Sequence, residues 1–189
     1  MSCQAVSYWL LPGPKARVRL DQLSALACEG IPLGLGASTL PPHITLYSHP
    51  LDAVQPNSQE QIIDRLQQLA VGHHPVLLYP KAIEAMQIFT QSLVLRFNSE
   101  ALADLHPWFL QLCLSSPNKL DYKLDPHLSL LYSQVPFEFR REYAKGLVLS
   151  TDPLLFESVS AVTHPLKIKS PADIAACTTL HECSLVSSA

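Results

Sequence analysis

Charge is sparse in this 189-residue chain. Asp, Glu, Lys and Arg make up 15% of it, and they sum to −3 at pH 7 with histidine neutral. A basic surplus is missing. Phosphate neutralisation supplies most of the affinity for long RNA or DNA, so a long polyanionic partner is disfavoured. The five cysteines, Cys3, Cys28, Cys113, Cys177 and Cys183, are scattered, and none forms a C-x-x-C pair. That excludes zinc-ribbon and redox spacings and points to reduced thiols. No run of 18 apolar residues occurs, and Met1 to Trp9 lacks the basic start and apolar stretch of a secretory leader. Neither a membrane span nor a signal peptide is expected, and the expected compartment is the cytoplasm.

Apolar residues are present at 48%, enough for a substantial core. The length suits one domain, or two small lobes sharing one fold. Val6 to Leu11 reads as a strand, stopped by Pro12-Gly13-Pro14. From about Arg17 to Glu29, Leu20, Leu23, Leu26 and Ala27 mark a helical face, and Gly30 stops it. Ile31 to Thr39 reads as a loop whose Leu33 and Leu35 could form a lid. Pro42 to Tyr47 is a second strand. Ser58 to Gln61 fits a capping box for a helix with Ile62, Ile63, Leu66, Leu69 and Ala70 on its apolar face.

Val76 to Met86 and Ser92 to Phe97 read as a strand pair. A helix capped by Asn98 or Ser99 runs towards Leu114, with a kink or restart expected at Pro107. His127 to Tyr132 is another strand, Pro136 opens a helix, and Leu154 to Val162 is the last strand. Strands and helices thus alternate in two halves of similar order, which gives an α+β class with an internal pseudo-duplication expected. Residues 1–169 form the expected domain, and 170–189 a tail of uncertain order.

Two segments echo each other: Pro42-His43-Ile44-Thr45-Leu46 and Pro126-His127-Leu128-Ser129-Leu130. With 26 Ser plus Thr in the chain, a bare His-x-Ser/Thr is expected about once by chance. The shared flanks carry more weight: proline before, an apolar residue between, leucine after. On a strand, residues i and i+2 share a face. His43 and Thr45 therefore point one way, as do His127 and Ser129, while Ile44 and Leu128 point into the core. Side by side, such strands would converge two imidazoles and two hydroxyls.

That set suits metal-free opening of a cyclic phosphodiester. One histidine takes a proton from water and the other protonates the leaving oxygen. The hydroxyls donate to the phosphate oxygens, where charge grows. His49, His74, His106 and His164 each precede proline and read as turn or element ends. His73-His74 has no carboxylate or cysteine cluster beside it, so no metal is expected there. Regular alternation from His127 aims Tyr132 away from the cleft, towards the core, unless a bulge or strand end intervenes.

At these residues the chain resembles the two-histidine (2H) phosphoesterases, and among them the fungal and plant cyclic phosphodiesterases. The likeness runs from about Ser7 to Lys167. It is carried by Ser7-Tyr8-Trp9-Leu10, Pro41-Pro42-His43-Ile44-Thr45-Leu46 and His127-Leu128-Ser129-Leu130-Leu131-Tyr132. The resemblance implies a bilobal α+β fold with two antiparallel sheets facing a central cleft and helices outside. It implies hydrolysis of ADP-ribose 1″,2″-cyclic phosphate, a tRNA-splicing by-product, to ADP-ribose 1″-phosphate, and of nucleoside 2′,3′-cyclic phosphates to 2′-phosphates.

By the same resemblance His43 and His127 are the acid–base pair, Thr45 and Ser129 bind phosphate, and Tyr132 lies near it. No cofactor is implied. The expected partner is a small cyclic nucleotide, with no membrane and no long nucleic acid, and the protein is expected to be a monomer. Ser133 stands where plant members commonly have glycine, and the tail after Ser170 has no counterpart. Two alternatives stay open: a 2H enzyme that processes RNA ends, and a non-catalytic nucleotide-binding module.

Overall fold

A computed structural model describes residues 4–32, 38–51, 59–117 and 122–186. Eight strands and five helices alternate: β1 (Gln4–Pro12), α1 (Pro14–Glu29), β2 (Ile44–Pro50), α2 (Gln59–Gly72), β3 (Val76–Leu78), β4 (Pro80–Ala85), β5 (Leu93–Phe97), α3 (Glu100–Ser115), β6 (His127–Leu131), α4 (Phe137–Gly146), β7 (Leu154–Pro165), α5 (Pro171–Ala175) and β8 (Thr178–Ser184). The class is α+β, as expected, and every strand pair is antiparallel.

The strands run β3-β7-β1-β2-β6-β5-β4 in one hydrogen-bonded path, with β8 added to β7. The two half-sheets of the bilobal expectation meet at a seam between β2 and β6. A single registered pair, Ile44 opposite Leu128, joins them. Both side chains are fully buried. The helices cover one face of the sheet. Their apolar residues (Leu20 and Ala27, Leu66 and Leu69, Leu105 and Leu112) join Tyr8, Leu10, Leu46, Leu95 and Phe156 in one core. The other face is left for the cleft.

Helix α1 starts at Pro14, three residues earlier than its pattern suggested. Proline at the first position suits a helix start because that N–H has no intrahelical partner. Its buried face is Ala16, Leu20, Ser24 and Ala27, and Leu26 is exposed. Gly30 sits at a helical φ of −74°, so its backbone does not demand glycine. Its neighbour does. The Tyr143 ring lies where a Cβ on Gly30 would be, and its hydroxyl donates to the Leu26 carbonyl at 2.6 Å. The capping box of α2 involves Ser58, which lies outside the described residues, as does 33–37 of the suspected lid.

Pro107 causes no break: α3 is continuous from Glu100 to Ser115. Ala103, whose carbonyl loses its donor to Pro107, is exposed, so water can satisfy that carbonyl. The Ser99 hydroxyl turns to Glu100 instead of capping the helix.

In the segment from Ser170 the described residues, 170–186, form a helix and a strand. Ser170 caps α5 by accepting from the Asp173 N–H, and β8 then pairs with β7 from Ser158 to Thr163. The strand is mostly exposed and shows no apolar alternation, so backbone pairing makes it a strand and its side chains gave no signal. Cys28, Cys113, Cys177 and Cys183 are half-buried free thiols. No helix among the described residues is long and apolar enough to cross a membrane.

Candidate functional site

The uncovered sheet face holds a cleft of about 280 Å³. His43 and Thr45 line it from one side of the β2–β6 seam, His127 and Ser129 from the other, and Tyr132 is also in its wall. The sequence-predicted set is therefore brought together.

The two histidines are mounted identically. His43 Nδ1 donates to the Pro41 carbonyl at 2.7 Å, and His127 Nδ1 donates to the Asp125 carbonyl at 2.7 Å. A carbonyl can only accept, so each Nδ1 carries hydrogen. Each acceptor lies two residues back, across a proline, and proline holds its predecessor extended. Nε2 of each ring has no hydrogen-bond partner among the described residues, and both rings line the cleft. The His-x-Ser/Thr repeat thus includes its proline as a working part: it fixes tautomer and aim together.

Their surroundings differ. His43 is buried at 8% exposure, and its ring stacks on Trp9 with centroids 3.6 Å apart and planes 12° off parallel. Burial pushes its pKa down to about 4, against the opposing bond to Pro41 and with smaller repulsions from His127 and His164. His127 has a carboxylate behind it, with Asp125 Oδ2 3.4 Å from its Nδ1. Arg96, directly across the strand from His127, grips that carboxylate with Nη1 at 2.8 and 2.9 Å. His127 and then Arg96 hold the Asp125 carboxyl well below the usual carboxylate range. Arg96 in turn pairs with Glu84 at 3.2 Å.

The hydroxyls differ too. Ser129 donates to the Thr90 carbonyl at 2.7 Å, so its proton is committed in this geometry. The Thr45 side chain has no such bond among the described residues, although its carbonyl accepts from the Tyr122 hydroxyl at 3.3 Å.

Tyr132 reaches the cleft because β6 is bulged. Ser129 pairs with Val94 and Leu131 with the next residue, Leu93, so two steps on β6 match one on β5. Leu130 and Leu131 both go into the core, and Tyr132 turns to the cleft, where its backbone bonds with Ser38 in both directions. Strand β2 repeats this device. Thr45 pairs with Trp9 and Tyr47 with Tyr8, Leu46 and Tyr47 both enter the core, and Ser48 turns to the cleft. Ser48 is thus the positional counterpart of Tyr132. Regular alternation from His43 would point Ser48 away; its only trace in the sequence is an adjacent apolar pair, Leu46-Tyr47, matching Leu130-Leu131.

His164 is the second missed residue. Read as a turn or element end, it does end β7, but it faces the cleft, where Ser7 Oγ lies 2.7 Å from its Nε2. The remaining proline-preceding histidines stay outside. His49 is fully buried in the core between Tyr8 and Tyr47. His74 bonds the Val186 carbonyl, and His106 lies against Phe109. His73 stacks on Trp108 and bonds Gln111, so the His73-His74 pair is divided between separate contacts. Among the described residues no cluster of three His, Cys, Asp or Glu could hold a metal ion.

No family model and no curated protein sequence matches the chain. Solved structures do. TT0787 of Thermus thermophilus aligns with TM-score 0.57 at 16% identity, over 96% of this chain and 97% of that one. E. coli LigT complexed with 3′-AMP aligns with TM-score 0.54 at 14% identity, over 97% and 98%.

The fold is that of the LigT-like 2H phosphoesterases.

Usb1 of Kluyveromyces marxianus shares this 2H fold with TM-score 0.51 at 16% identity, over 94% of this chain and 97% of that one. At these identities the 2H likeness is one of fold. The paired histidine mounts and the paired bulges are features of this chain's own geometry.

Proposed function

We propose that the protein is a metal-independent cyclic phosphodiesterase in which His43 is the general base and His127 the general acid. One observation carries this reading: two imidazoles have their Nδ1 atoms pinned by backbone carbonyls and share one cleft through Nε2. His43, kept unprotonated by burial, accepts a proton from water through Nε2 as the water oxygen bonds to phosphorus. The phosphorus–oxygen bond to the ribose breaks. That oxygen takes the Nε2 proton of His127, and exchange with solvent returns the pair to its starting state. While His127 carries both protons, the Asp125 carboxylate behind its Nδ1 balances the charge. Thr45 donates to a non-bridging oxygen, and Ser129 does so on turning from Thr90. Tyr132 closes the wall behind them.

The substrates that fit are small cyclic phosphates: nucleoside 2′,3′-cyclic phosphates, opened to 2′-phosphates, and ADP-ribose 1″,2″-cyclic phosphate. E. coli LigT, which shares this fold, is known in complex with 3′-AMP, which supports a nucleotide as the ligand class. The test is turnover of these compounds by purified protein in excess EDTA. Activity should persist with EDTA and fall at least about 100-fold in His43→Ala and in His127→Ala, the scale of losing a general acid or base. Near-normal activity in either variant refutes the mechanism.

A further inference from the structure

The cleft has a second polar pole that the hydrolytic chemistry does not use. Ser7 and Ser48 are paired across the β1–β2 ladder, two steps beyond the Trp9–Thr45 pair, with Tyr8–Tyr47 between them. At about 3.4 Å per residue, two residues along β1 place this pole about 7 Å from the level of Thr45. Both serines and His164 line the cleft, and Ser7 and His164 are buried at 4% and 8% exposure.

The hydrogen bonds there have one consistent direction. His164 Nδ1 is 2.8 Å from the Pro165 carbonyl, so Nδ1 carries the hydrogen. Burial holds the ring's pKa below its ordinary value, which keeps it neutral, so its Nε2 is an acceptor. The Ser7 hydroxyl must then donate to His164, at 2.7 Å. With its proton used, Ser7 can offer the cleft only lone pairs. Ser48 beside it can donate or accept. The pole is uncharged, and no Lys or Arg is among the described residues lining the cleft.

We propose that Ser7, oriented by His164 and flanked by Ser48, is a specificity subsite that accepts a hydrogen bond from an N–H group on the nucleobase of the substrate. This rests on the cyclic phosphodiesterase reading and names its substrate class: a nucleoside cyclic phosphate whose base reaches the neutral pole. Ser7 is the contact, and His164 is a positioning residue that sets which way the Ser7 proton points.

The experiment compares kcat and KM for the four nucleoside 2′,3′-cyclic phosphates with those for glycerol 1,2-cyclic phosphate, which has no base. The unaltered protein, Ser7→Ala, His164→Ala and His164→Gln are assayed. The ratio of kcat/KM for the preferred nucleoside over glycerol should fall about tenfold in both alanine variants, mainly through KM, the scale of a lost hydrogen bond. His164→Gln, which keeps an acceptor for Ser7, should recover part of it. An unchanged ratio, or equal loss in His164→Gln and His164→Ala, overturns the subsite.

A binding arm separates this proposal from the hydrolytic one. Chemical-shift titration with nucleoside 2′-monophosphates and with inorganic phosphate needs no turnover. If the nucleotides bind more tightly than phosphate and Ser7→Ala removes the difference, the subsite stands even where hydrolysis is absent. If nucleotides and phosphate bind alike, the subsite fails even in an active enzyme.

Discussion

In the proposed mechanism the shelter of His43 sets the acid limit of activity, and Trp9 is the residue to remove. As general base, His43 works only when unprotonated. Burial takes its pKa to about 4, so the acid limb of kcat/KM should fall only below about pH 5, because kcat/KM reports the free protein. An unshielded imidazole titrates near 6.5. At pH 5 a base with a pKa of about 4 is about 90% available, whereas one near 6.5 is about 3% available, a difference of roughly 30-fold.

Trp9 covers one face of the ring at 3.6 Å, so Trp9→Ala lets water reach it. The acid limb should then move up by at least about one unit, towards 6.5. Trp9 is itself 5% exposed, and truncating a buried tryptophan costs about 3–5 kcal/mol. The assay is therefore run at low temperature, with circular dichroism confirming the fold at each pH. A limb already near pH 6.5 in the unaltered protein refutes the claim that burial governs His43. A limb that stays put in Trp9→Ala refutes the role of the stacked ring.

Asp125→Asn should lower kcat about tenfold with little change in KM, because the carboxylate faces a charge on His127 that is present only in part of the cycle; the loss stays modest because the Asp125 carbonyl still holds Nδ1. A drop confined to KM contradicts the acid role of His127. Folding stability should also depend on pH. Burial lowers the pKa values of His43, His49 and His164, so the unfolded chain binds more protons than the folded one below about pH 6.5. Their contribution is complete above about pH 6.5 and is lost as pH falls through each folded value, which for His43 is about 4. His43 alone, with a pKa of about 4, accounts for about 2 kcal/mol between pH 7 and pH 5. Urea midpoints at the two pH values measure it, and equal stability at both refutes it. Leu128→Ala should cost about 2–5 kcal/mol in the same urea assay, since the side chain is fully buried at the seam. A cost under about 1 kcal/mol would show that the halves do not depend on that packing.

The histidine half of the site was legible in the sequence because it obeys strand alternation. His43 with Thr45, and His127 with Ser129, needed only a period of two. Ser48 was not legible, because a bulge resets that period, and its trace is two neighbouring apolar residues that a strand reading treats as noise. Tyr132 was legible only conditionally: alternation put it in the core, and the bulge that could rescue it was named without being located. His164 was misread because a histidine before proline ends an element in either case; which face that end presents depends on β7 pairing with β1, and its partner Ser7 is 157 residues away. The α1 face was misjudged at Leu26 because leucine was weighted over Ser24, which packing accepted as small. Strand β8 was invisible because its side chains stay mostly exposed.

The seam between β2 and β6 has a consequence for how this molecule can vary. Ile44 and Leu128 form its one rung, and each sits immediately after one of the two cleft histidines in sequence. The gap between His43 and His127 is therefore set at a seam with a single rung between the two strands, and that rung lies beside both histidines. A change of twist in β1 or β7 carries His43 with it, and one in β4 or β5 carries His127. Substitutions remote from the cleft thus reach the two histidines as a change in the cleft's bite, and its width can vary without replacing a single cleft residue.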